Sequence, residues 1–380
     1  MTIHKLPGTV QVDVDDLWVY YESIGRRAPA GCPSPAYEQG VPRLLDLFDR
    51  YGIRATFFVC GRDVQAQRAT LREMIRRGHE IANHSTWHRP GFARLSAVEK
   101  QADIATTHRL LADGTGVEPR GFKSPGFSFA PDQLDALAGL GYRYDSSLLP
   151  TPYAPMMRVA QRLLSGGTVD PTHYGQARYG LAPLRPYTPS RCNPHRPAEG
   201  NTAATVTRRI APRGRSGVSQ TGTRPYPTGA DDASRTGTRP YPTDAVGSAD
   251  SSRIAPRGRS GASQTGTRPY PTTQDSIVIE APVTTMPLTR LPMHSTFVFT
   301  AGQPLFDAGL ALAVACNVPV NYLLHAADAI DPVADPSLAS YRFLTQSWEE
   351  KHALLDHMLS ELAGKFRLVP TLEYVNALVR

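Results

Sequence analysis

Gly78-His79-Glu80-Ile81-Ala82-Asn83-His84-Ser85-Thr86-Trp87-His88 is a short apolar run behind a turn glycine, ending in two histidines separated by three residues. The run reads as a strand, so the pair sits near a strand's C-terminal end. Histidines at i and i+4 on one helical turn point the same way and can share a metal ion. A catalytic divalent ion usually takes three protein ligands and keeps one position open. The first strand, Thr9–Asp15, offers the third from Asp13, Asp15 or Asp16. A histidine pair of this spacing also arises by chance among eleven histidines, so the spacing alone does not establish a metal. Three crowded carboxylates raise one another's pKa unless a cation relieves them, which strengthens the metal reading.

Outward from this pair the chain alternates strand and helix patterns. Thr9–Asp15, Ala55–Cys60, Gly121–Ser124 and Tyr142–Asp145 read as strands. Between them, 40–51, 64–77, about 97–113 and 131–140 carry helical apolar spacing. Ser96 with Glu99 forms a capping box, and Gly78 and Gly141 close helices. The alternation resumes with 276–280, a helix around 305–316, the strand Val320–Leu324 and a long amphipathic helix around 347–363. Such alternation predicts an α/β protein with a mainly parallel sheet, open or closed into a barrel. In these folds the chemistry gathers at the C-terminal ends of the strands. Two further residues lie at such ends. Lys123, in Lys123-Ser124-Pro125-Gly126, reads locally as a solvated turn lysine, or as a cation that pairs with one of the carboxylates. His325 reads as a core histidine or as a general acid, with Asp328 placed to cap a helix or orient the imidazole.

The segment 195–274 is different material. Arg209–Ser216 recurs at Arg253–Ser260, and both copies continue into Gln-Thr-Gly-Thr-Arg-Pro-Tyr-Pro-Thr. The second half of the unit appears again at Arg235–Thr243. Poor in aliphatic side chains, it reads as a disordered low-complexity insertion in a surface loop. Its 12 arginines against 5 acids account for the whole formal charge of +7. The basic character therefore belongs to the insertion, and no nucleic-acid partner is expected for the barrel.

The four cysteines show neither a disulfide framework nor zinc-knuckle spacing, which fits a reducing compartment. The N-terminus lacks the apolar core of a signal peptide, and no run reaches the ~18 apolar residues of a membrane span. The expected location is the cytoplasm, with contact at the inner membrane surface as an extension.

Taken in order, Asp13-Val14-Asp15-Asp16, His84-Ser85-Thr86-Trp87-His88, Lys123-Ser124-Pro125-Gly126, Asp145-Ser146-Ser147 and Leu323-Leu324-His325 resemble the five motifs of the polysaccharide deacetylases. These are the NodB-homology proteins of carbohydrate esterase family four. Gly40–Leu45 and Ala55–Val59 resemble that family's first helix and second strand, and the likeness covers roughly 9–190 and 275–330. The resemblance implies a distorted (β/α) barrel interrupted by the insertion, giving parts 1–194, 195–274 and 275–380. It implies a divalent metal, zinc first with cobalt, manganese or nickel as alternatives, held by Asp15, His84 and His88. Asp13 would be the general base, His325 the acid that protonates the leaving amine, and Lys123 would stand where the family has arginine. Pro125 and Asp145, in the third and fourth motifs, would contact substrate. The D-x-D form of the first motif departs from the usual adjacent pair and leaves the ligand open between Asp15 and Asp16. It is similar to the branch of peptidoglycan deacetylases, cyclic amide hydrolases and undecaprenyl-linked aminoarabinose deformylases. The implied substrate is an N-acylated amino sugar, free in a glycan or lipid-linked. Cyclic-amide or O-acetyl hydrolysis, or an inactive barrel binding a partner through the basic repeat, are the competing readings.

Overall fold

A computed structural model describes residues 5–165, 170–190, 193–194, 196–198 and 277–378. The first strand, β1 (Leu6–Val14), shows how the barrel is built. Its residues alternate: Val10, Val12 and Val14 are fully buried beneath the surrounding helices, each contributing roughly 1.5–3 kcal/mol. The intervening Thr9, Gln11 and Asp13 turn to the barrel interior, where Gln11 Nε2 donates to Thr371 Oγ1 at 3.2 Å.

Around β1 run β2 (Thr56–Val59), β3 (Glu80–Asn83), β4 (Gly121–Phe122), β5 (Tyr144–Asp145), β6 (Ile279–Glu280), β7 (Val320–His325) and β8 (Phe366–Leu368). They form one parallel sheet of eight strands in the order β6-β5-β4-β3-β2-β1-β7, with β8 pairing β1 through Leu6–Gly8. The ends of this path, β6 and β7, are joined by side-chain and loop hydrogen bonds. Thr284 N donates to Asn321 O at 2.9 Å, and Asn321 Nδ2 donates to Ala281 O at 2.9 Å. Asn321 Nδ2 and Gln11 Oε1 also meet the Ser146 hydroxyl inside, at 3.2 and 3.1 Å. The result is the expected distorted barrel, its strands short and its last seam closed by polar side chains.

The capping box at Ser96–Glu99 forms as expected and opens the helix Ala97–Thr115. The helix expected from Val64 begins at Arg68, because 61–63 make a 3₁₀ turn and Asp63 accepts from Trp18 Nε1 at 3.0 Å. Helices at Leu17–Ser23, Ala154–Ser165 and Ser295–Ala301 were not expected from the apolar spacing. The insertion expected at 195–274 lies outside the described residues apart from 196–198, where Pro197 pairs with Pro189. No helix among the described residues is long and apolar enough to cross a membrane.

Candidate metal centre and active-site cavity

Parallel register brings the chemical side chains to one rim. Asp13 lies opposite Phe58 on β2 and His325 on β7. His84 follows β3 directly, and Lys123 follows β4 with its amide bonded to Asn83 O at 3.0 Å. The stretch after β3 is no helical turn, contrary to the spacing argument. Ser85 and His88 have positive φ, 64° and 45°, and the loop is held from outside. Thr86 N donates to Asp103 Oδ1 at 2.7 Å, and Gly61 N donates to Ser85 O at 2.9 Å. This loop brings the two imidazoles within 5.0 Å, centroid to centroid.

Asp15, His84 and His88 converge, each offering one atom within 4.8 Å of the others. Asp15 Oδ1 stands 3.6 Å from His84 Nε2 and 3.5 Å from His88 Nε2. These separations are long for hydrogen bonds, but metal bonds of ~2.1 Å in tetrahedral array put ligands roughly 3.4 Å apart. Asp15 Oδ1 and His84 Nε2 are buried without a hydrogen-bond partner among the described residues. His84 Nδ1 donates to Lys123 O at 2.8 Å, which leaves the Nε2 lone pair facing Asp15. Burial lowers the pKa of both imidazoles, that of His88 to about 4, so both are neutral donors at neutral pH. Burial pushes the Asp15 carboxyl up, opposed by His84. This donor set fits a divalent cation. Asp16 takes no part: its side chain accepts from Leu17 N at 2.9 Å and caps the helix Leu17–Ser23.

Lys123 is no solvated turn residue. It is 1% exposed, and its Nζ donates to Asp13 Oδ1 at 2.6 Å while lying 4.2 Å over the Phe58 ring. Burial alone would raise the Asp13 carboxyl, but the Lys123 ammonium, with His84 and His325, brings it below the ordinary carboxylate value. His325 faces the same cavity, with Thr296 Oγ1 3.3 Å from its Nδ1. Asp328 accepts from the His325 amide at 2.7 Å, so it caps the following 3₁₀ turn. Gly40 permits this turn to pack closely, since a Cβ there would meet Ala326 O at 2.2 Å.

The cavity, about 110 Å³, is lined by Asp13, Asp15, His88, Lys123 and His325. Pro125 and Asp145, expected to contact substrate, are not among its lining residues. The Asp145 carboxylate is engaged inward by Gln133 Nε2 at 2.6 Å and by the Ser147 hydroxyl, and burial raises it to about 7. Two lining histidines escaped the sequence reading, His173 and His294. His173 arrives on a loop folded over Gly126, where a Cβ would meet its Nδ1 at 2.2 Å. His294 precedes the unexpected helix Ser295–Ala301.

Residues 31–144 match the polysaccharide deacetylase family. A peptidoglycan deacetylase of Helicobacter pylori is 30% identical over 120 residues, 32% of this chain and 41% of that protein. A chitooligosaccharide deacetylase of a Bradyrhizobium species is 32% identical over 101 residues, 26% of this chain and 46% of that one. The chain thus spans less than half the length of these curated relatives. A solved structure from Mycobacterium smegmatis, assigned to the polysaccharide deacetylases, aligns over 100% of this chain and 92% of its own, with TM-score 0.51 and 15% identity. That likeness supports the fold. The matched region, residues 31–144, is thus similar to the polysaccharide deacetylases, and the fold of the chain agrees with that of the solved structure.

Proposed function

We propose that the chain is a metal-dependent hydrolase that removes an N-acyl group, acetyl or formyl, from an amino sugar in a glycan or lipid-linked precursor. The observation that carries this reading is the adjacency of the Asp15–His84–His88 donor set to the buried Asp13–Lys123 pair, with His325 in the same cavity. A divalent cation bound there, zinc or a metal of similar preference, supplies Lewis acidity to the acyl carbonyl and makes water acidic enough to attack near neutral pH. Asp13, ionised by Lys123, takes the proton of the attacking water. His325 gives a proton to the departing amine nitrogen. Lys123 keeps Asp13 fixed, and ionised until it takes the water's proton. The two carboxylates are thereby set apart: one is held low by a cation, the other pushed up by burial. The relatives' activities, on peptidoglycan and chitooligosaccharide, support an amino-sugar substrate.

The test is elemental analysis of the purified chain, with acetate and formate release measured from N-acetylglucosamine oligomers, muramoyl glycan and a formylated lipid-linked amino sugar. Stoichiometric metal with acid release is expected. A chain that holds metal yet releases neither acid from any of them sinks the reading. We assign the insertion no part in the chemistry, so replacing 199–274 by a short linker is expected to keep turnover within about twofold. That cut spares the Pro189–Pro197 bridge. A collapse in kcat would show that the segment shapes the site.

Thr296→Val removes the hydroxyl beside His325 Nδ1 and should lower kcat by about tenfold with KM unchanged, since partners of this kind fix the tautomer and angle of an imidazole. Steady-state kinetics decide it, and an unchanged kcat would remove Thr296 from the account.

A further inference from the structure

His294 lies in the wall of the cavity and is 4% exposed. Neither of its ring nitrogens has a hydrogen-bond partner among the described residues. Buried polar atoms are almost always paired, because an unpaired one costs folding free energy, so a doubly orphaned imidazole on a cavity wall points to a ligand. The ring is fixed at one side by Phe127, with centroids 6.0 Å apart. It lies within electrostatic reach of His325, Asp13 and Lys123, and so faces the region where the reaction is proposed to occur. Burial holds it neutral, its pKa pushed down to about 3. A neutral imidazole offers one N–H donor and one lone-pair acceptor, the same complement as a hydroxyl and as a secondary amide.

We propose that His294 is a substrate-binding residue that hydrogen-bonds a hydroxyl or the acylamino group of the bound sugar. This deepens the hydrolase reading and rests on it for the substrate class. A positively charged side chain in the same place would stand against Lys123 with nothing negative to gain from an uncharged sugar. The neutral ring satisfies its own orphaned atoms only when the sugar is present, so binding and positioning arrive together.

The experiment measures the equilibrium KD of an N-acetylglucosamine oligomer in an Asp13→Asn background, and kcat and KM in the otherwise unaltered chain, all metal-loaded. His294→Phe keeps the ring contact with Phe127 and removes both hydrogen-bonding atoms; its KD should rise about tenfold, the ratio that one hydrogen bond carries. His294→Gln restores a donor and an acceptor and should return KD to within about threefold. Should His294→Phe fail to fold, His294→Asn takes its place against His294→Gln. An unchanged KD in the Phe variant overturns the inference, as does a fall in kcat alone or a loss that Gln does not rescue. Failure of the wild-type chain to bind the oligomer overturns it too. Sugar binding without acid release would sink the hydrolase reading and leave this one standing. Acid release with KD unmoved by either variant would sink only this one.

Discussion

Replacing His84 or His88 by alanine is expected to abolish metal retention and turnover together. Each change removes one of three donors gathered within 4.8 Å of one another, with Asp15 Oδ1 3.6 and 3.5 Å from the two imidazole nitrogens, and two donors with an open cavity hold divalent ions poorly. The Lewis-acid contribution is several kcal/mol, so turnover should fall by at least about a thousandfold. The second signature is thermal. In the metal-free chain, Asp15 Oδ1 and His84 Nε2 are buried without hydrogen bonds among the described residues, each costing about 1–3 kcal/mol. Added cation should relieve this and raise the melting temperature, by the equivalent of ~2.7 kcal/mol at a hundredfold excess over Kd. In His84→Ala one orphan is gone and only Asp15 and His88 remain to hold the cation, so the response of the melting temperature should be largely lost. Elemental analysis, acid release and a melting curve with and without metal check all three. Turnover surviving in metal-free His84→Ala protein would refute the assignment.

The alternation of strands and helices was legible because the barrel's strands are short, buried and regularly separated, whereas the three-residue β8 and the order of the strands in the sheet are set by tertiary pairing. The choice between Asp15 and Asp16 is also written locally. Thr9, Gln11, Asp13 and Asp15 share one period-two face, against Val10, Val12 and Val14 on the other, so Asp15 continues the interior row while Asp16 falls where the next helix needs a cap. Spacing suggested that a helical turn aims His84 and His88. A loop with two left-handed residues does so instead, held by Asp103 from 17 positions downstream. Lys123 is the clearest case of what local sequence omits. Lys-Ser-Pro-Gly has the composition of an exposed turn, and only a partner 110 residues away makes burial tolerable. Asp145 has the opposite history: its motif suggests substrate contact, while Gln133 and Ser147 satisfy it within the barrel. His173 and His294 sit on connecting segments whose positions are set by tertiary packing, so no spacing rule reaches them.

Lys123→Met should be the most destabilising single change at the rim, and should also disable Asp13 as the proposed base. Both partners are buried, Lys123 1% and Asp13 4% exposed, so the carboxylate left behind loses the cation at 2.6 Å with little solvent to replace it. Removing one member of a buried pair typically costs 3–5 kcal/mol, more than the pair is worth against an apolar substitute. The Lys123 ammonium also lies in the fields of Asp15 and Asp145, so its loss removes a charge that favours their ionised forms too. Asp13 then relieves the strain by binding a proton, its pKa rising once burial acts without Lys123, and a protonated Asp13 cannot accept one from water. Turnover should fall by at least about a hundredfold, while metal content, set by other residues, persists. The double variant Asp13→Asn with Lys123→Met separates the two effects. It should recover most of the lost stability, because neither charge remains, and none of the activity. Lys123→Arg keeps the charge but must fit a planar guanidinium over Phe58, and should fall between wild type and Lys123→Met in both measures. Denaturant unfolding of the four chains gives the coupling directly. If Lys123→Met unfolds at the wild-type midpoint, or turns over at the wild-type rate, the buried pair is not what holds the base.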